Sequence, residues 1–230
     1  MGYPAILRRV CVLFLFKQEF SELASVLKFA CYPREGEPAP DLRGAHLVGI
    51  DSVPARADLR VSGNTVTCEP RGQEPLGLSV LWPVEGHGTV QLQTTRLPLR
   101  EEPYHLHVEL VRHRLMRISV KREEWGLFDY PGIEEAAAKI ERARSLFLEA
   151  LQLADDAPAA ARVADRALAL ALTASEDLCR FHASVFIARR RQAGGFSRGF
   201  LGYGPGHYSL SRGRAGRGGK AGYRADREGA

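Results

Sequence analysis

The stretch Asp58-Leu59-Arg60-Val61-Ser62-Gly63-Asn64-Thr65-Val66-Thr67-Cys68-Glu69 decides the fold. Leu59 and Val61 alternate with Asp58 and Arg60. Val66 and Cys68 alternate with Thr65, Thr67 and Glu69. Ser62-Gly63-Asn64 between them makes a turn, because Gly and Asn tolerate positive φ. A period of two on both sides of such a turn is a β-hairpin with one apolar and one polar face. Downstream, Leu76 to Leu81 begins a third strand, which Trp82-Pro83 is expected to stop. Glu85-Gly86-His87-Gly88 is the next turn, and Val90, Leu92 and Thr94 mark a fourth strand. Strands with a bare apolar face are not stable alone, so another element must cover them.

The cover follows directly. Pro103 suits the first position of a helix, where a missing N–H costs nothing. Leu106, Leu110, Arg114, Leu115, Ile118 and Trp125 then recur at helical spacing, up to a break at Pro131-Gly132. Ile133, Ala137, Ile140, Phe147, Ala150, Leu151 and Ala154 make a second stripe. Asp156 is placed to cap a third helix, with Pro158 in its first turn. That helix presents Val163, Ala167, Leu168, Ala171, Leu172, Leu178, Phe181, Val185 and Ala188, with Arg189-Arg190-Arg191 complementing the macrodipole and Gly194-Gly195 ending it. Four regions result: 1–26, an N-terminal extension of doubtful status; 27–103, a small antiparallel β unit; 104–192, a three-helix segment; and 193–230, a Gly/Arg-rich tail expected to be disordered. The fold class expected is α+β.

Composition narrows the function. The 230 residues carry a formal net charge of +5, but the tail from Pro205 to Ala230 alone sets five Arg and one Lys against Asp226 and Glu228. The body is therefore nearly neutral and offers no basic surface for specific nucleic-acid binding. The tail itself is a candidate for weak, non-specific anion or RNA contact; it lacks a repeated RGG pattern. Cys11, Cys31, Cys68 and Cys179 are scattered with no C-x-x-C pair, so buried or free thiols and a reducing, cytoplasmic setting are expected rather than a zinc knuckle. Arg8-Arg9 before Val10-Cys11-Val12-Leu13-Phe14-Leu15-Phe16 resembles a short signal core. It has no small-residue cleavage site and falls well short of the roughly 20 apolar residues of a membrane span.

Candidate site residues are few. His105, His107 and His113 are the nearest approach to a metal set. On a helix, however, ligands converge at i, i+3 or i+4, and His105 and His107 are two apart. In an extended stretch those two could converge, leaving His113 remote. Surface or helix-start histidines are expected, with no metal and no cofactor. Glu101-Glu102, Glu123-Glu124 and Glu134-Glu135 are adjacent pairs, which do not face one another on a helix. They read as solvated surface rather than a glycosidase acid and nucleophile. No G-x-S-x-G, phosphate loop or H-E-x-x-H occurs. Trp82, Tyr104, Trp125 and Tyr130 are the candidates for stacking on a sugar, although aromatics at strand ends and helix junctions more often seal cores. No catalytic residue is assigned.

One resemblance spans the chain. Arg43-Gly44-Ala45-His46-Leu47-Val48-Gly49-Ile50-Asp51 with Val53-Pro54, then Leu81-Trp82-Pro83-Val84-Glu85-Gly86-His87-Gly88, Leu97, Glu102-Pro103-Tyr104-His105-Leu106, Glu109-Leu110-Val111-Arg112, Glu124-Trp125 and the Ala-rich third helix carry it. Together they resemble the front region of bacterial proteins named endo-1,4-β-xylanase or family 10 glycoside hydrolase domain proteins, over roughly Leu27 to Gly204. The resemblance implies an accessory region ahead of a (β/α)₈ barrel that carries the catalytic glutamates. The chain departs from that pattern at about Pro205. A barrel needs about 200 residues or more, so no catalytic glutamate carries over, and a truncated or frameshifted reading frame is the expectation. Val26 in the role of an initiator would make the preceding residues an overextended start. The expected function is thus a non-catalytic accessory domain that meets a polysaccharide or a glycosidase barrel. The alternative is a helical protein–protein interaction module without a carbohydrate role.

Overall fold

The computed structural model describes residues 26–33 and 42–194. The chain divides into two units, at Ile187 and Ala188. The first holds all the strands and most of the helical residues. The described part of the second is the last turns of the final helix, with Arg189, Arg190 and Arg191, followed by Gly194 at φ 103°. The N-terminal extension and nearly all of the Gly/Arg-rich tail lie outside the described residues.

The architecture is α+β. Eight strands come first: β1 (Leu27–Ala30), β2 (His46–Val48), β3 (Pro54–Ala55), β4 (Ala57–Ser62), β5 (Thr65–Pro70), β6 (Gly77–Val84), β7 (Gly88–Gln93) and β8 (Arg100–His105). Three helices follow: α1 (Leu106–Glu124), α2 (Glu134–Gln152) and α3 (Ala157–Gln192). The strands form two sheets, ordered β4-β5-β1-β8 and β3-β2-β6-β7. The hairpin read from Asp58 to Glu69 is β4-β5, with Ser62 opposite Thr65. Gly63 takes φ 56° at the first central position of the turn, where a side chain would be strained.

Three features depart from the sequence reading. The strands are not purely antiparallel, because β1 pairs with β8 in parallel. Pro103 does not open a helix. It lies inside β8, in the register shift where β1 advances from Leu27 to Phe29 while β8 advances from Arg100 to Tyr104. An edge strand at a bulge is where a sheet tolerates a residue without an N–H. The helical segment accordingly begins at Leu106, and Tyr104 and His105 belong to the sheet. Trp82-Pro83 does not stop the third strand either, since β6 runs through both to Val84. Its neighbour β2 pairs with it only from Gly77 to Ser79, so Pro83 meets no ladder on that side.

The first helix ends earlier than Pro131-Gly132. Gly126 at φ 61° is the stop, its N–H donating to Glu123 O (3.0 Å) while Leu127 N–H reaches Arg122 O (2.8 Å). That pair of bonds is the Schellman arrangement. Asp156 caps α3 as its position suggests, accepting from Ala159 N–H at 3.0 Å. The apolar stripes bury Leu106, Leu110, Leu115 and Ile118 on α1, Ile140 and Ala150 on α2, and Val163 to Leu178 on α3. Leu151, expected inside, is 38% exposed, and the α3 stripe fades beyond Leu178. One continuous core joins both sheets and all three helices, with Phe29, Leu27, Leu47, Leu78, Leu106 and Leu168 fully enclosed. Burial of each such side chain contributes about 1.5–3 kcal/mol. Cys31 and Cys68 lie in this core as free thiols, and burial pushes both up to about 12. They stay protonated and pack as small apolar groups.

Candidate functional site

The strand-to-helix junction at His105/Leu106 has no loop, and this brings two histidines together that a continuous helix would separate. Their rings stand 5.6 Å apart, edge to face. His107 is 2% exposed and lies in the first turn of α1, so of the two expected settings it takes the helix start and not the surface. Its Nε2 accepts from the Tyr32 N–H at 3.0 Å, which places the ring proton on Nδ1, and Nδ1–H donates to Asp165 Oδ1 at 2.8 Å. Trp82 meets the ring edge-on at 4.9 Å. The side chain thereby ties the end of β1 to α1, α3 and β6. His105 Nε2 donates to Ala157 O at 3.0 Å, at the start of α3. Burial lowers its pKa despite that bond. A His–Asp pair with both nitrogens committed inside the core is a structural clasp, not a general base open to substrate. His113 lies elsewhere, with Gln93 and Arg117 rather than with the other two histidines, and among the described residues no group of three or more metal-ligating side chains gathers.

The aromatic candidates are placed by packing. Trp82 and Tyr104 are buried. Tyr104 lies against Phe29, has the Arg100 guanidinium over its ring at 3.5 Å, and donates its hydroxyl to Pro98 O at 3.0 Å. Trp125 stacks on His182 at 4.1 Å, and Tyr130 meets Phe181 edge-on. Trp82 and Tyr104 therefore offer no open face on which a sugar ring could stack. The adjacent glutamate pairs do not converge either. Glu101 pairs with Lys28, Glu124 with Lys121 and Glu135 with Lys139, while Glu134 takes the Gly132 N–H at the start of α2.

Among the described residues one open concavity is formed that the sequence did not mark. A cleft of about 210 Å³ is lined by Val48, Gly49 and Ser52 at the end of β2, by Gly77, by Gln93 to Arg96, and by His113, Met116 and Arg117 of α1. A bulge builds its floor. Ser79 pairs with Gln93, but Leu76 pairs with Leu97, which inserts one extra residue in the second strand. Thr94 holds the bulge, its Oγ1 accepting from Leu78 N–H (2.9 Å) and donating to Thr95 O (2.9 Å). Ser52 stands on the rim at φ 59°, the one described non-glycine residue at positive φ. Such strain and such bulges gather at functional sites. The signal for this cleft was spread over four separate segments. None of them carries a motif, and only the bulge brings them together.

The cleft's histidine has a consequence for stability. Burial, with Arg117 and Arg114 nearby, lowers His113 from 6.5 to about 4, against a backbone contact with Gln93 that works the other way. In the unfolded chain the ring takes up its proton near 6.5, in the folded chain only near 4. Between these values the unfolded state binds more protons, so stability falls as pH falls through this window and levels off below it. We expect a loss of about 2 kcal/mol between pH 7 and 4 from this group, after discounting for its partial exposure. His113→Gln should flatten that part of the urea-denaturation profile, and an unchanged pH slope in the variant would refute the assignment.

No family model, curated protein or solved structure matches this chain.

Proposed function

We propose that this chain is a non-catalytic accessory module of a polysaccharide-degrading protein related to family 10 glycoside hydrolases. One observation carries the non-catalytic part of the reading. Among the described residues no carboxylate lines the cleft, whereas glycoside hydrolysis with retention uses two, about 5–5.5 Å apart across the sugar. The nearest buried carboxylate, Glu109, is held by Arg112 Nε (3.1 Å) and Thr95 Oγ1 (3.2 Å). The polysaccharide link is supported by the resemblance. Its segments include β2, the β6–β7 hairpin and the junction of β8 with α1, which lie around the cleft and the histidine clasp. The purified chain should release no reducing sugar from xylan and should retain xylan or its oligosaccharides on a glycan array. Xylan hydrolysis by the chain would overturn the reading, and absence of any glycan binding would remove its carbohydrate part.

A second reading, a helical protein-interaction module, is favoured by the exposed Leu148 and Leu151 of α2 and Phe186 and Ile187 of α3. Sedimentation equilibrium distinguishes it. Concentration-dependent self-association without glycan binding selects the second reading. Among the described residues no helix is long and apolar enough to cross a membrane, so neither reading involves a helical anchor in that region.

A further inference from the structure

We infer that the bulge cleft binds a small oxyanion, a phosphate or carboxylate group, gripped by Arg96 and Arg117. This goes beyond the accessory reading and does not depend on it. Arg96 and Arg117 line the same concavity with His113, and among the described residues no Asp or Glu side chain belongs to that lining. Several other exposed cations of the helices have a carboxylate beside them: Lys121 with Glu124, Lys139 with Asp177, Arg144 with Glu141, Arg166 with Glu149, Arg180 with Glu176. Among the described residues Arg96 and Arg117 have no ion pair or hydrogen bond. Arg117 instead faces like charge, Arg114 one turn back on the same helix. Two planar guanidiniums, one of them beside a like charge, are matched to an incoming oxyanion, which each can hold through a pair of N–H bonds.

The remaining lining fits the same ligand. Thr95 and Arg96 lie in the bulge, between the Thr94 and Leu97 ladder bonds, so their amides have no ladder partner. Gln93 and the Ser52 hydroxyl add polar groups at the rim, with Ser52 held in its strained turn by Gly49 N–H to Val53 O at 2.9 Å. Val48 and Met116 supply an apolar wall. At about 210 Å³ the space falls below the roughly 300–1,000 Å³ of sites for drug-sized ligands. It suits a single charged group with a small body attached, such as a sugar acid or a phosphate ester.

The test is calorimetric or NMR titration of the full chain with inorganic phosphate, with D-glucuronate and with neutral D-xylose. Binding of phosphate, of glucuronate or of both, weakened by added NaCl, is expected. Phosphate alone identifies a phosphorylated ligand and glucuronate alone a carboxylated one. The double variant Arg96→Gln/Arg117→Gln alters two exposed side chains and should fold normally. It is expected to lose about tenfold or more in affinity, while Arg96→Lys/Arg117→Lys retains part of it. The tail's cations remain in every variant, so a loss confined to the double variant locates the site in the cleft. No binding of either anion up to about 20 mM, equal affinity for xylose, or undiminished binding by the glutamine variant would each overturn the proposal.

Discussion

Replacement of His107 by alanine is expected to lower the free energy of unfolding by about 4 kcal/mol, enough to remove a large share of the stability of a domain this size. The imidazole is 2% exposed and occupies space between Trp82, His105 and Tyr32. Its removal leaves a cavity that Trp82, fixed in β6, cannot fill. It also strands two partners at once, the Tyr32 N–H and the Asp165 carboxylate. A buried donor left without a partner costs about 1–3 kcal/mol, and the cavity adds a comparable amount. His107→Phe separates the two contributions. It restores the volume but neither hydrogen bond, so a loss of about 2 kcal/mol is expected. Asp165→Asn keeps an acceptor for Nδ1–H and should cost less than either. Equilibrium urea denaturation of the three variants measures the order, and an alanine variant with an unshifted midpoint would show that the clasp contributes nothing.

Gly77→Ala is expected to cost about 3 kcal/mol, the upper end for an inserted methyl group. A Cβ at Gly77 would lie 2.9 Å from Thr94 O and 3.3 Å from Thr95 O. Both obstructing atoms belong to backbone, and Thr94 is held on three sides: its N–H to Leu78 O, its Oγ1 from Leu78 N–H and its Oγ1–H to Thr95 O. Relief therefore requires the bulge itself to open. Gly72→Ala is the control, since nothing lies within 4 Å of a Cβ there and its φ is not positive. It should be neutral or slightly stabilising, because alanine narrows the unfolded ensemble. Thermal or urea unfolding that gives equal midpoints for the two variants would refute the role assigned to the close approach at Gly77.

What the sequence made legible follows the range over which each signal acts. The β4-β5 hairpin was readable because its alternation, its turn and its partner are contiguous. The Asp156 cap was readable for the same reason. β1 and β2 were not, being four and three residues long and each paired with at least one strand far away in the chain. Pro103 and Trp82-Pro83 were misread because proline's meaning depends on which edge of a strand is paired, and only the sheet order decides that. The histidines illustrate the same limit. A two-residue spacing separates His105 and His107 on a helix, but the boundary between β8 and α1 falls between them and turns their rings together. The cleft depends on one inserted residue between Gln93 and Leu97, which no local pattern announces.

The parallel pairing of β1 with β8 has a consequence for biosynthesis. A ribosome adds about 5–20 residues per second. β5 is available to β1 soon after β1 is made, whereas the β8 edge must wait for Arg100 to His105. The Tyr32 end of β1 then gains its His107 contact, and that contact is completed only when Asp165 has been synthesised. During this interval Phe29, fully enclosed in the finished protein, has one flank open. The order of emergence thus gives the nascent chain a defined window of exposed apolar surface, which α3 ends when Asp165 reaches His107.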